Sequence, residues 1–323
     1  MSIIKYRLVA YIFSGGLVLA SLVGLALWQL KPGIEFTGGS LMSVTYTQVQ
    51  PPVAAVEKAL EPFDIKPIVQ PIGDRGVLIR ATEIPEAKHQ EILVALGEIF
   101  KNQRESETVK AAIEAVIPAE EQAAFYEIAG ADVLTEDRFE AVGPAIGQEL
   151  QSKSVFALAL VLLMIVVYVS WAFRKSGGLV RPWQYGVVTL VTLFHDVIIT
   201  VGVFAYLGHF MGIEVNAAFI AAILTILGYS VNDTVVVFDR IRENIRRSAE
   251  KDFGKVVGQS LRQTFARSLN TSLTVFFVLL AIFLFGGASL QAFIGALLIG
   301  VAVGSYSTLF IASPILVDIA KRQ

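Results

Sequence analysis

The chain has 323 residues, 54% hydrophobic and 17% charged, against the roughly 25% charged residues of a soluble domain. Its apolar residues gather in runs of about twenty, the length that crosses a hydrocarbon slab, so a single soluble core is excluded and an integral membrane protein implied. A net charge of −2 excludes a generally basic nucleic-acid binder, the absence of cysteine removes disulfides, thiol catalysis and cysteine-held metals, and three histidines leave little basis for a His-rich metal site.

Residues 8–30 form the first apolar run. It exceeds the roughly 7–15 residues of a signal-peptide core, and no small-x-small cleavage site with a polar mature start follows Trp28, so a retained membrane helix is predicted. Residues 31–153 change character, with 20 acidic and 11 basic residues. Residues 40–48 alternate and are rich in β-formers, and 52–61 have apolar positions at helical spacing. Residues 65–72 and 76–81 read as strands flanking the turn Gly73-Asp74-Arg75. A second helix is predicted over 85–100, with Ile92, Leu96 and Ile99 on one face, and a last strand over 138–142. The order βαββαβ is that of a ferredoxin-like split βαβ domain. Residues 102–134, rich in Ala and Glu, read as a helical insertion. No catalytic constellation stands out here: the carboxylates are scattered and His89 is alone on a charged helix face. Gly38-Gly39 and Gly143-Pro144 stand where this domain leaves and rejoins the membrane, as hinges or as ordinary turns.

Five further apolar runs follow, over 154–173, 183–207, 213–238, 268–285 and 290–317. Lys5 and Arg7, then Arg174, Lys175 and Arg181, then eight basic residues within 239–267, then Lys321 and Arg322 all fall on one side, whereas 208–212 and 286–289 carry no Lys or Arg. The positive-inside bias therefore predicts both termini in the cytoplasm and 31–153 outside. The expected fold class is an α-helical membrane protein of six transmembrane helices, one plus five, with an α+β ferredoxin-like outer domain. Its parts are the first helix (1–30), the outer domain (31–153) and a five-helix bundle (154–323). In the bundle, 239–267 carries Phe253, Val257, Leu261 and Phe265 at i+4 steps among basic residues, the pattern of an amphipathic helix on the inner membrane face.

Polar residues within the runs are the candidate functional ones, because an ionisable group in hydrocarbon costs roughly 2.5–3.5 kcal/mol on an insertion scale. In the third run Thr189, Thr192, Asp196 and Thr200 share one helix face, so Asp196 is expected to meet other helices rather than lipid; His195 lies about 100° around from it. In the fourth, Ala221, Thr225, Gly228 and Asn232 form a small-and-polar stripe with Asp233 beside it. Asp233 precedes Asp239 by six residues, which places it roughly 9 Å inside the boundary. The fifth run is entered through Arg267, which with Asn270, Thr271 and Thr274 makes a third stripe at about the depth of Asp233. A carboxylate and a guanidinium at matched depth relieve each other's cost, so an Asp233–Arg267 pair is expected. A carboxylate whose ionisation depends on a nearby movable Arg can carry protons. Gly300 and Gly304 in the last run suit close helix packing. Polar stripes that face away from the bundle's own core would need a covering partner, and the heteromer that supplies one is what the resemblance described next implies.

Several stretches carry a family likeness: Gly33-Ile34-Glu35-Phe36-Thr37-Gly38-Gly39 after the first run, Phe139–Leu150 (FEAVGPAIGQEL) before the second, Phe194–Thr200 (FHDVIIT) in the third, Gly228–Asn244 (GYSVNDTVVVFDRIREN) in the fourth, and Arg267-Ser268-Leu269-Asn270-Thr271-Ser272 opening the fifth. With the one-plus-five layout, these resemble the SecF side of the SecD–SecF protein-export family, within the resistance-nodulation-division superfamily. The resemblance implies a non-enzymatic subunit of the bacterial inner membrane. Its partners would be a SecD-type subunit, the SecY channel, unfolded secretory polypeptide and membrane lipid, with protons as coupling ion and no other cofactor. It carries the proton-handling Asp onto Asp233 and the transport-associated Arg onto Arg267. The first motif departs from the family in having Glu35 where Asp is usual, and the 102–134 insertion exceeds the usual outer domain. Two other readings are open: a small-molecule efflux pump of the same superfamily, whose chains usually carry two six-helix halves, and an intramembrane hydrolase using Asp196 and Asp233, for which a GxGD-like context is lacking.

Overall fold

The computed structural model describes residues 3–47, 49–82, 84–104, 134–175, 180–247, 250, 252–287 and 290–321. The chain divides into two compact units, one of Met1–Gly33 with Ser152–Gln323 and one of Ile34–Gln151. Among the described residues six helices are long and apolar enough to cross a membrane: Ile4–Trp28, Pro144–Ala172, Pro182–Met211, Ala217–Arg247, Phe253–Phe285 and Gln291–Lys321. Each overlaps most of one of the six predicted runs, and most extend beyond it at a polar end.

The first span is a 3₁₀ turn, Ile3–Tyr6, running into α1 (Arg7–Trp28). A single helical turn, α2 (Ile34–Thr37), opens the second unit, which the sequence reading puts outside. There follow β1 (Gly39–Tyr46), α3 (Val53–Leu60), β2 (Ile68–Ile72), β3 (Gly76–Ala81), α4 (Glu86–Arg104) and β4 (Leu134–Val142). All pairings are antiparallel and the strand order is β2-β3-β1-β4, which with the βαββαβ sequence follows the split βαβ pattern. The alternation of β1 puts Met42, Val44 and Tyr46 on the covered face, where they meet Val77 and Ile79 of β3, Val56 and Leu60 of α3, and Ile92, Leu96 and Ile99 of α4. The last strand starts at Leu134 rather than at 138; residues 105–133 of the expected insertion lie outside the described residues. His89 is not alone. It is buried, stacks on Phe139 with centroids 3.9 Å apart, and bonds Glu136 through Nε2 at 2.6 Å, tying α4 to β4.

The second span begins earlier than its apolar run, with α5 (Pro144–Ala172). Next come α6 (Pro182–Met211), started by Pro182 and by Arg181 N–H donating to Gln184 Oε1 at 2.6 Å, then α7 (Ala217–Arg247) and α8 (Phe253–Phe285), whose cap Asp252 accepts from Gly254 N–H at 2.9 Å. The last span is α9 (Gln291–Ser307), a π-helical turn (Thr308–Ala312) and α10 (Ser313–Lys321). Pro314 has no N–H to continue the α-helical ladder, and the widened turn before it absorbs that break while Ser313 Oγ donates to Thr308 O at 3.1 Å.

The segment 239–267 corrects one expectation. It is not a separate amphipathic helix: its first part ends α7 at Arg247 and its last part, from Phe253, begins α8. Phe253, Val257 and Leu261 are buried in the same cluster as Ile241, Leu316, Val317 and Ala320. The i+4 spacing was real, but the surface that receives it is the chain's own last helix, which a hydrophobic period alone does not distinguish from lipid.

Candidate functional site

Small residues set the helix spacing. A Cβ on Gly300 would stand 2.3 Å from Ile226 of α7, and one on Gly304 would stand 3.1 Å from Ser230 Cβ and 3.6 Å from Asp196 Oδ2. The two glycines let α9 close on α6 and α7 and bring its hydroxyls to the carboxylate at the centre of the bundle.

That carboxylate is Asp196, which is fully buried together with Thr189, Thr192 and Thr200 of its stripe. The three threonines donate back to Tyr185, Val188 and Asp196 carbonyls at 2.7–2.9 Å, leaving Asp196 as the stripe's group for other partners. Ser230 Oγ of α7 donates to Asp196 Oδ2 at 2.6 Å and Ser307 Oγ of α9 to the same atom at 3.0 Å. His195 Nδ1 lies 2.9 Å from Asp196 Oδ1, so an Nδ1–H tautomer donates to it. His195 Nε2 is buried and bonded to nothing among the described residues. One turn along, Thr234 Oγ1 is 3.0 Å from Thr308 Oγ1. Sequence reasoning identified Asp196 and its inward face but missed Ser230, Thr234, Ser307 and Thr308. The signal was present in Ser230 and Thr234 at i, i+4 and in the hydroxyl run before Pro314, yet hydroxyls alone do not announce which helix they will meet.

Asp233 differs. It is buried at 9% exposure on α7, and its Oδ2 has no hydrogen-bond partner among the described residues; neither has the buried Ser268 Oγ of α8. Arg267 is exposed and its charge acts on the Asp233 carboxyl, although no direct ion pair joins the two among the described residues. The reason is helical phase: Arg267, Asn270, Thr271 and Thr274 do form one stripe, but it points away from the chain's own core. Ala221, Thr225, Gly228 and Asn232 are likewise exposed, and a Cβ on Gly228 would meet nothing within 4 Å. Thr225 and Thr271 satisfy their hydroxyls on their own helices, at Ala221 O (2.8 Å) and Arg267 O (2.9 Å). Behind this face Tyr229 donates to Ser272 Oγ at 3.2 Å, and Ser305 to the same oxygen at 2.6 Å.

The predicted hinge residues are packed. Gly38 (φ +75°) and Gly39 (φ +122°) hold left-handed or related backbone that other residues avoid, and a Cβ there would stand 2.8 Å from Pro144 Cα and 2.7 Å from Ala81 O respectively. Gly143 has open space around it. Glu35 lies in α2, half-buried. No group of three or more His, Asp or Glu side chains able to hold a metal ion occurs among the described residues.

Residues 124–322 match the family model described as protein export membrane protein SecD/SecF, C-terminal. The chain is 37% identical to protein translocase subunit SecF of Thermobaculum terrenum over 321 residues, covering 98% of this chain and 93% of that protein. It is 33% identical to the subunit of the same name from Haemophilus influenzae, covering 99% and 86%. The crystal structure of SecDF, a translocon-associated membrane protein from Thermus thermophilus, superposes with a TM-score of 0.75 at 27% identity. A second SecDF structure, in a super-membrane-facing form, gives 0.62 at 26%. This chain is covered in full by both but spans only 39% of either SecDF chain. With the six candidate spans and the four-stranded unit, these likenesses establish that the chain belongs to the SecF family of protein translocase subunits.

Proposed function

We propose that this chain is the SecF-type half of a proton-driven accessory machine. It pairs with a SecD-type subunit and uses the proton-motive force to help draw secretory polypeptides from the SecY channel. The observation that carries the reading is the contrast between two buried carboxyls. Asp196 is held by two serines and a histidine, whereas Asp233 keeps an oxygen without a partner beside an outward face bearing Asn232, Arg267, Asn270 and Thr271. A carboxyl whose oxygens are all engaged serves as an anchor, whereas one with an unengaged oxygen is free to meet an approaching group.

In this reading Asp233 takes up and releases the proton, Arg267 sets its ionisation by approach and withdrawal, and Asn232, Asn270 and Thr271 line the route with a partner bundle. Asp196 anchors the helices against which α7 moves. A proton crossing 100 mV yields about 2.3 kcal/mol, enough to bias a two-position element by a factor of several tens. The outer unit is that element, with Glu35, Gly38, Gly39, Gly143 and Pro144 at its two connections and Gly228 at the contact with the partner. The distribution of Lys and Arg supports termini in the cytoplasm and Ile34–Gln151 on the outer side.

The test is polypeptide translocation by the complex reconstituted with SecY and a SecD-type subunit, with and without an imposed pH gradient. Asp233→Asn is expected to abolish the increment that the gradient gives and to leave gradient-independent translocation unchanged. An undiminished increment refutes the assignment.

A further inference from the structure

We infer that this chain holds the phosphate headgroup of an anionic phospholipid in a cleft formed by the ends of three membrane spans. The cleft encloses about 450 Å³ between the N-terminal 3₁₀ turn at Ile4, the start of α8 and the last residue of α10, Lys321. That volume lies within the roughly 300–1,000 Å³ of ligand sites. Lys255, Gly258, Gln259 and Arg262 line it at i, i+3, i+4 and i+7, one face of α8.

Among the described residues lining it three are cations and one is an anion, Asp252, whose carboxylate is engaged as the cap of α8. Lys255 pairs with Glu250 at 3.3 Å. Arg262 and Lys321 are exposed and have no hydrogen bond or ion pair among the described residues. Two unpaired cations and a side-chain amide therefore converge on one cleft, and a phosphodiester supplies the acceptor oxygens they lack.

Gly258 gives a second, independent indication. Glycine inside a helix is roughly 1 kcal/mol less favourable than alanine, and here no packing among the described residues demands it, because a Cβ at this position would meet nothing of theirs within 4 Å. Its effect is to leave the floor of the cleft open. The cleft also adjoins lipid-facing surface: Leu8, Val9 and Ile12 of α1, one to two turns beyond Ile4, are each at least 65% exposed. Acyl chains extending from a headgroup in the cleft have an apolar helix face to lie against. A soluble phosphate would have the cations but no use for that face, and this favours a lipid. The inference needs only that the chain spans a bilayer and is independent of proton coupling.

The experiment is native mass spectrometry of the full-length chain in detergent with added phosphatidylglycerol or phosphatidylcholine, repeated with inorganic phosphate as competitor. Phosphatidylglycerol is expected to bind preferentially. The double variant Arg262→Gln, Lys321→Gln should lose roughly thirty-fold in affinity, the product expected of two cations near a membrane surface. Gly258→Leu should block binding while retaining the unfolding temperature of the wild type, and Lys175→Gln, outside the cleft, should bind as wild type. Equal binding of the two lipids, retention by the double variant, or displacement by inorganic phosphate at concentrations comparable with the lipid's would each overturn the inference.

Discussion

Asp196→Ala and Asp233→Asn should part company in stability and in function. Asp196→Ala removes the acceptor of Ser230 Oγ (2.6 Å), Ser307 Oγ (3.0 Å) and His195 Nδ1 (2.9 Å). Ser307 retains a bond to Gly304 O at 3.0 Å, whereas Ser230 Oγ has no other partner among the described residues. Interhelical polar contacts in membrane bundles average about 0.6 kcal/mol and reach about 1.7. Two such contacts, a stranded histidine and a small void together amount to about 2–3 kcal/mol. Asp233→Asn has no bond to lose at Oδ2 and exchanges a buried acid for a neutral isostere, so its stability should stay within about 0.5 kcal/mol of wild type. Denaturant titration of the purified chain in one detergent, followed by circular dichroism, measures both. Equal loss in the two variants, or none in Asp196→Ala, would mean that the bonded and unbonded carboxyls are not energetically distinct, and the division of labour between them would fall.

Gly300→Val places methyl groups where Ile226 already stands 2.3 Å from the first added carbon, so α9 must separate from α7 at about 1–3 kcal/mol, seen as a lower unfolding midpoint. Gly228→Leu adds a Cβ that meets nothing within 4 Å among the described residues and should leave the chain's own unfolding midpoint unchanged or raised, while weakening co-purification with a SecD-type subunit at least tenfold; unaltered co-purification would show that this face is not the contact. Tyr46 is fully buried in the outer unit and burial pushes its phenol above the ordinary tyrosine value. The folded chain thus keeps a proton that the unfolded chain releases near pH 10, and the stabilisation, complete below that pH, declines as pH rises above it. Tyr46→Phe should flatten the alkaline limb of outer-unit stability, monitored by tyrosinate absorbance against circular dichroism; an unchanged slope would place the alkaline sensitivity elsewhere.

How far the site could be read beforehand follows from what a helical period encodes. A stripe at i, i+3, i+4, i+7 fixes which residues share a face, and every predicted stripe did so: Thr189 to Thr200 on α6, Ala221 to Asn232 on α7, Arg267 to Thr274 on α8. It does not fix the direction that face takes in the bundle. The α6 stripe turned inward and the other two outward, so Arg267 acts on Asp233 through its charge without a direct ion pair among the described residues. The same limit misread 253–265, whose apolar face met α10 instead of lipid. The outer unit was more legible because a strand has only two faces: once the alternation of β1 was fixed, Met42, Val44 and Tyr46 could lie only on the side that the two helices cover. In the bundle the direction was set by close approach, at Gly300 against Ile226 and at Gly304 against Ser230, which makes the positions lacking a side chain the ones that orient the charged ones. Asp233 keeps an unbonded oxygen beside the outward stripe, while Ser230 of α7 and Ser307 of α9 are committed to Asp196.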